Sequence, residues 1–404
     1  MTQGKAILVI DLGNSSTKGK VLYGKKDGKY REVKFEVPNT FGSILTDDIA
    51  PTDRYSDETS TAFEIKTNGL TKAGFDAEIV GKYANGEYQT VEYPAAVIRP
   101  TTMLKKATQP AVVLSCYMAF WNGYKSVAKL AGVAVKDVDV SWTVVALLPP
   151  QDIKEYSGKL ENILRSIQQI NTIFPECKKD IKVDSIKILP EGYCAFVGTV
   201  YDSGMEIRPD YKYLLNENVI VLDVGEGTTD FVVMSRNKLQ NNTLKTVQYG
   251  GKTVRSTLKA QLAINATDEE YKEALLTGEL HIGADVKDIC DSINTAKQIT
   301  ASKIYTALYE HLEASGIVPN SIYGILIVGG GVLEGDNSKI KPLSEYIMNN
   351  FKQFFPSAKL IELPKHTVTK IVDDEAVKLE ETISPRLLNL YGASILAEAI
   401  AQNN

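Results

Sequence analysis

The chain is poor in the two residue types that most often carry redox and nucleophilic chemistry. Its 404 residues include 4 cysteines and 3 histidines. Cys116, Cys177, Cys194 and Cys290 lie far apart with no CxxC pair, which argues against a zinc site, a redox dithiol or a disulfide framework. His281, His311 and His366 are equally scattered, and no local nucleophile–base pair is visible, so each reads as a surface or capping residue. Long apolar runs are missing too. The first, Ala6 to Ile10, stops at Asp11, too short for a secretory core, and none approaches the ~20 residues of a spanning helix. The expectation is a cytoplasmic protein with no membrane partner. Neither charge sign dominates: 45 basic against 50 acidic residues gives a net charge of −5. A mildly acidic chain has no general basic footprint for direct nucleic-acid binding. With 44% hydrophobic and 24% charged residues, the composition is that of an ordinary folded chain of roughly two to three domains.

What is present begins with a strand. Ala6 to Ile10 reads as buried on both faces, Asp11 to Ser16 as a turn, and Thr17 to Tyr23 as a returning strand. Residues 29–37 alternate as a third strand, so the chain opens as a meander and not as βαβ. Residues 38–75 are polar with little periodicity and read as a surface insertion, and Ala77 to Val80 as a strand. Helices are expected over 109–131 and 151–170, with strands at Val138 to Leu148 and Ile181 to Leu189 and a small-residue helix from Glu191 to Val200. The second half restarts the pattern: strand Asn218 to Leu222, turn Asp223 to Thr229, return strand Asp230 to Ser235, and another strand at Lys245 to Tyr249. Further helices are expected over 252–264, 285–313, 339–354 and from Leu388 to Ala401, with strands at Tyr323 to Val328 and Lys359 to Leu363.

The restart is an internal repeat. Residues 7–18, ILVIDLGNSSTK, lie over residues 219–230, VIVLDVGEGTTD, at a constant offset of 223 − 11 = 212. Asp11 meets Asp223, Gly13 meets Gly225, Ser16 meets Thr228 and Thr17 meets Thr229. Two such copies, each opening half of the chain, argue for a duplicated domain. Glycine lets backbone approach a ligand closely, and successive N–H groups in such a turn form an anion nest. Serine and threonine hydroxyls add donors for phosphate oxygens. An aspartate is acceptor-only when ionised and suits a hydrated Mg²⁺. Lys18 adds a point charge where the second copy has Asp230.

Two other glycine patterns fail as nucleotide motifs. Gly251-Lys-Thr253 lacks the first glycine of a P-loop, which would fall at Thr246. Gly329, Gly330 and Gly331 cannot open a GxGxxG motif, because its third glycine would fall at Glu334; they read as a glycine stretch after a buried strand, with room for a base or ribose.

Together these blocks resemble the actin/hexokinase/heat-shock-chaperone ATPase superfamily. Asp11 to Lys18 is similar to its first phosphate motif, Asp223 to Asp230 to its second, and Val328 to Gly331 to its adenosine motif. Leu189 to Phe196 and Leu390 to Ala397 resemble its two connecting helices, and Val80 to Ala84 a loop common in actin-like proteins. The blocks keep family order along nearly the whole chain. Only seven residues follow Ala397, against the large peptide-binding region of the seventy-kilodalton chaperones, and no sugar-kinase base motif is found. Pro190-Glu191 and the length are most similar to ParM-type segregation ATPases and other bacterial and archaeal actin-like filament proteins. The alternatives are a non-polymerising chaperone-like or division-associated ATPase and a small-molecule kinase.

The resemblance implies an α/β fold of two duplicated ribonuclease-H-like domains with mixed five-stranded sheets and a nucleotide between them. Domain I would span about 1–205 plus 385–404 with an insertion near 25–75, and domain II about 206–384 with an insertion near 250–300. ATP or GTP would be hydrolysed with Mg²⁺. Asp11 and Asp223 would hold the metal through water, and Glu191 would orient the attacking water. Gly13, Asn14, Ser15, Ser16, Thr17 and Lys18, with Gly225, Glu226, Gly227, Thr228 and Thr229, would grip phosphate. Lys297 and Gly329 to Gly331 would lie near the nucleoside. The expected partners are further copies of the chain and a DNA-binding adaptor.

Overall fold

The apolar run near the N-terminus becomes the centre of a sheet. The computed structural model describes residues 4–26, 28–44, 61–65, 80–85, 97–101, 104–174, 176–332, 338–372 and 375–402. The chain divides into two compact units: Met1–Leu148 with Asp152–Pro190 and Leu396–Asn404, and Pro149–Gln151 with Glu191–Ile395. The change of unit thus falls at Pro190/Glu191 rather than near residue 205, and again within the C-terminal helix.

The first unit contains β1 (Gly4–Leu12), β2 (Ser16–Lys26), β3 (Lys29–Pro38), β4 (Phe41–Ile44), β5 (Thr61–Ile65), β6 (Gly81–Asn85), β7 (Val97–Ile98), α1 (Pro110–Ala131), β8 (Val140–Leu148), α2 (Ile153–Ser166), β9 (Gln169–Phe174), β10 (Cys177–Asp180) and β11 (Lys182–Pro190). One sheet has the order β11-β8-β1-β2-β3. β1 runs parallel to β8 and antiparallel to β2, and its residues from Ala6 to Leu12 are buried without a break, as its unbroken apolar run requires. A second sheet has the order β10-β9-β5-β6-β4-β7. Helix α1 reaches both sheets: Tyr117 stacks on Phe63 at 4.9 Å between centroids, and Tyr124 meets Trp142 edge-on at 5.3 Å. The helix closes at Gly132, which takes φ 69 in the left-handed region.

The second unit contains α3 (Tyr193–Val200), β12 (Asn218–Val224), β13 (Thr229–Ser235), β14 (Lys238–Leu239), β15 (Lys245–Val247), α4 (Gly251–Leu262), α5 (Asp268–Thr277), β16 (Glu279–Ile282), β17 (Asp285–Asp288), α6 (Cys290–Ala314), β18 (Ile322–Val328), α7 (Leu343–Lys352), β19 (Lys359–Leu360), β20 (Lys365–Val372), β21 (Glu375–Thr382) and the start of α8 (Leu388–Gln402). Its main sheet has the order β14-β13-β12-β18-β19, with β15 also on β13. The repeat is therefore one of topology. Each unit has a central strand, β1 or β12, with an antiparallel partner on one side and a parallel partner on the other. The hairpin registers coincide: Asp11 faces Lys18 and Leu12 faces Thr17, while Asp223 faces Asp230 and Val224 faces Thr229.

The structure corrects the pattern reading where burial comes from distant partners. Residues 38–75 are not all a polar surface insertion: β4 and β5 lie within them, and Phe41 and Phe63 are fully buried. Val80 to Ala84 is no loop, since β6 starts at Gly81; of the strand expected at Ala77 to Val80, only Val80 lies within the described residues, exposed and outside any strand. The helix expected over 151–170 stops at Ser166, and Gln169 already pairs with Asp180 in a hairpin. The helix expected over 285–313 begins only at Cys290, after the β16–β17 hairpin. Helix α5, with its Thr267–Glu270 capping box, and the β20–β21 hairpin carry little apolar periodicity and were not expected. Among the described residues no helix is long and apolar enough to cross a membrane.

Candidate functional site

In the first unit, Asp11 lies near the end of β1 and is 6% exposed. Lys18, directly opposite it across the hairpin, places Nζ 3.3 Å from Asp11 Oδ2. The turn between them is tight: a Cβ on Gly13 would sit 2.6 Å from the Ser16 carbonyl oxygen. Asn39, just after β3, braces this turn. Its N–H donates to Ser15 O at 2.9 Å, its Nδ2 donates to Gly13 O, and its Oδ1 accepts the hydroxyls of Thr17 at 2.7 Å and Ser115 at 2.9 Å. The Ser16 hydroxyl donates to Glu36 Oε1. Thr17 is fully buried, so its hydroxyl proton serves the fold, contrary to the expectation of a phosphate donor. The open members of the turn are Gly13, Asn14 and Ser15.

The second unit repeats this arrangement with different chemistry. Thr229 is also fully buried and donates to Tyr249 O at 2.8 Å, so its hydroxyl too serves the fold. Gly225 N–H donates to Thr228 O at 2.8 Å and closes the turn. Gly227 is buried, whereas Gly225, Glu226 and Thr228 are partly open. The Glu226 carboxylate is gripped by Arg255 of α4, whose Nη1 lies 3.1 Å from Oε2 and whose Nη2 donates to Oε1. Asp223, 8% exposed, faces Asp230 where Asp11 faces Lys18. Each of these carboxylates accepts a neutral donor: Asn389 Nδ2 on Asp223 Oδ2, and Thr246 Oγ1 on Asp230 Oδ1.

The glycine stretch after β18 packs on this second turn. A Cβ on Gly329 would collide with Asp223 Oδ1, and one on Gly331 would sit 2.6 Å from Gly225 O. Gly329 also takes φ +98. These two positions are glycine because the unit's own backbone and carboxylate occupy the space a side chain would need. Gly330 is different: its nearest neighbours are Arg386 side-chain atoms, the first at 3.6 Å.

Glu191, 6% exposed, lies in the turn before α3 and not in its first turn, because Gly192 takes φ +75 and the helix starts at Tyr193. Lys297 on α6 is 7% exposed and donates to Lys341 O at 2.9 Å, one turn after Asn294, which donates to Lys339 O at 2.9 Å. It helps to hold the segment ahead of α7. The second unit thus brings together Asp223, Gly225, Gly329 and Gly331. Asn39, Arg255 and Asn389 were missed. The one signal for Asn39 and Asn389 is a polar amide in or beside an apolar stretch, as in Leu-Leu-Asn389-Leu-Tyr.

The cysteines and histidines lie elsewhere. Burial pushes the Cys116 thiol up to about 12. His311 packs edge-on against Phe231, and burial pulls its imidazole below the ordinary value; His366 meets Tyr391 edge-on. Both are half-buried and each also packs on an aromatic ring, and His311 stands in the last turn of α6.

Taken by itself, each turn has donors suited to phosphate oxygens and a carboxylate suited to the hydration shell of a Mg²⁺ ion. The first turn offers backbone at Gly13, where a Cβ would sit 2.6 Å from Ser16 O, with the Asp11 carboxylate beside it; the second offers backbone at Gly225, where a Cβ would sit 3.2 Å from Thr228 O, with the carboxylates of Asp223, Asp230 and Glu226 beside it. Among the described residues no group of three or more His, Cys, Asp or Glu could hold a metal alone.

The geometry defines a class. Residues 221–337 match the family described as archaeal actin homologue MreB-like, C-terminal. No curated protein sequence matches. Among solved structures, the actin-like protein Alp7A is 15% identical with a TM-score of 0.68, over 98% of this chain and 97% of that one. ParM from Bacillus thuringiensis with ATP is 14% identical with a TM-score of 0.61, over 100% of both chains. A 15-stranded ParM filament from Clostridium botulinum is 16% identical with a TM-score of 0.59, over 98% of this chain and 100% of that one. The chain has the actin-like fold from end to end.

Proposed function

We propose that this chain is a cytoplasmic actin-like ATPase that assembles into filaments when it binds nucleoside triphosphate. The carrying observation is the pair of Asp-x-Gly hairpins at one register in two units of like topology. Two relatives of the same fold support the reading, one ParM bound to ATP and one ParM in a filament. ATP is the favoured nucleotide, with GTP as the other candidate. Backbone at Gly13 to Ser15 and at Gly225 to Thr228 grips phosphate oxygens, with Lys18 and the open hydroxyls of Ser15 and Thr228 beside them. Asp11 and Asp223 accept hydrogen bonds from the hydration shell of Mg²⁺, which when bound neutralises phosphate charge. Glu191 orients the attacking water, and Gly330 and Lys297 lie on the nucleoside side. The ParM resemblance favours plasmid segregation through a separate DNA-binding adaptor.

The test is sedimentation beside phosphate release. Protein at micromolar concentration is expected to pellet with ATP or GTP plus Mg²⁺ and to stay in solution without them. A chain that stays monomeric with every nucleotide and instead phosphorylates a sugar or acid is a kinase, and the filament reading is lost.

A further inference from the structure

One residue outside every motif ties Asp223 to the turn that carries Glu191. Asn389, in the first turn of α8, is 5% exposed. Its Oδ1 accepts the N–H groups of Gly192 at 2.9 Å and Ala195 at 3.1 Å, and its Nδ2 donates to Asp223 Oδ2. We propose that Asn389 is the positioning residue of the second unit's site, fixing Asp223 and the Glu191 turn relative to each other through opposite ends of one side-chain amide. The proposal rests on the roles given above to Asp223 and Glu191.

The amide has a single workable orientation. Two N–H donors converge on one end, so that end is oxygen; the other end meets a carboxylate, so it is NH₂. Alanine would lose both ends. Aspartate would keep the acceptor but turn a second carboxylate toward Asp223. The repeat explains why an amide is needed here. In the first unit Asp11 is met across the hairpin by Lys18, but in the second the facing residue is Asp230, and like charges directly opposite are destabilising. A neutral donor from elsewhere in the unit takes the place of the lysine. The same segment also reaches the glycine stretch, because Gly329 N–H donates to Pro385 O at 3.0 Å. Asp223, Gly192 and Gly329 therefore share one short span of chain as their reference point.

The experiment uses the full chain without nucleotide first. Asn389→Asp is expected to lower the unfolding temperature by on the order of 5 °C. Asp223→Asn alone should change it little, and the double variant should return to within about 2 °C of wild type, because the donor and acceptor are exchanged while the hydrogen bond is kept. A residue that merely caps α3 behaves otherwise. Aspartate is a good acceptor at a helix N-terminus, so Asn389→Asp would then be neutral or stabilising, and Asp223→Asn would rescue nothing. That result overturns the proposal. The second measurement is Asn389→Ala, with phosphate release and nucleotide affinity read separately. Displaced reacting groups should lower turnover about 10²-fold while affinity falls far less. Equal losses in both, or undiminished turnover, also overturn it. If the double variant shows the rescue but the wild type releases no phosphate, the proposed activity is removed and the link between Asp223, Asn389 and Gly192 stands.

Discussion

Three helical glycines of this chain meet different surroundings, and alanine at each gives a graded test of the packing. Gly392 on α8 lies against α3: a Cβ there would sit 2.7 Å from Gly198 N, 2.8 Å from Cys194 C, and closer still to the Cys194 carbonyl oxygen. Those atoms are helix backbone and cannot swing aside as a side chain can. The two helices would have to part by about 1 Å, and overpacking of this kind costs about 3 kcal/mol or more. Gly198 is the milder case, with its Cβ 2.9 Å from Leu388 O and 3.0 Å from Gly392 N. The strain there should be about 1–2 kcal/mol, partly offset by the roughly 1 kcal/mol that alanine gains over glycine in a helix. Gly158 on α2 has nothing within 4 Å, so Gly158→Ala should stabilise by up to about 1 kcal/mol. At roughly 2–4 °C per kcal/mol, Gly392→Ala should melt at least about 6 °C below wild type, Gly198→Ala slightly below it, and Gly158→Ala about 2–4 °C above it. Thermal unfolding followed by far-ultraviolet circular dichroism reads all three. If Gly392→Ala melts with or above Gly158→Ala, the backbone contact between α3 and α8 does not exist.

Two further outcomes are expected. Glu191→Ala should reduce phosphate release by roughly 10²–10⁴-fold while sparing nucleotide binding, and its filaments should outlive wild-type ones after a limited ATP addition; wild-type release would reduce Glu191 to a turn residue. Burial holds the His311 imidazole below its ordinary 6.5, and its Nε2 is buried without a hydrogen-bond partner. The folded state therefore binds fewer protons than the unfolded chain, so His311 contributes fully above about pH 6.5 and less as the pH falls through the lowered folded value. His311→Leu should flatten the urea midpoint against pH below about 6.5, and an unchanged slope would rule His311 out as the source.

The elements legible in the sequence are those whose burial is written locally. β1 and β12 announce themselves because every residue of an unbroken apolar run is buried on both faces. The hairpin turns are legible because Asp-x-Gly and small residues impose the reversal over a few positions. β4 and β5 were illegible because each has four or five residues, too few to show a period, and the partners that bury Phe63, such as Tyr117 of α1, are dozens of residues away. The site divides in the same way. Gly13 is readable as a turn glycine. The need for glycine at 329 and 331 comes from Asp223 and Gly225, about a hundred residues earlier.

The sequence by itself determined the two turns and their strands, the duplication, and the superfamily resemblance, because all of these are carried by neighbours in the chain repeated at one offset. The tertiary structure alone decided which of those residues face outward. Thr17 and Thr229 look like phosphate donors in the motif, yet each turns its hydroxyl inward, to Asn39 and to Tyr249 O. It alone decided how Asp223 is held. A buried carboxylate needs a donor, its cross-strand neighbour is another carboxylate, and the amide that answers it stands 166 residues further along the chain. No local pattern encodes a partner at that distance, because only folding brings the two together.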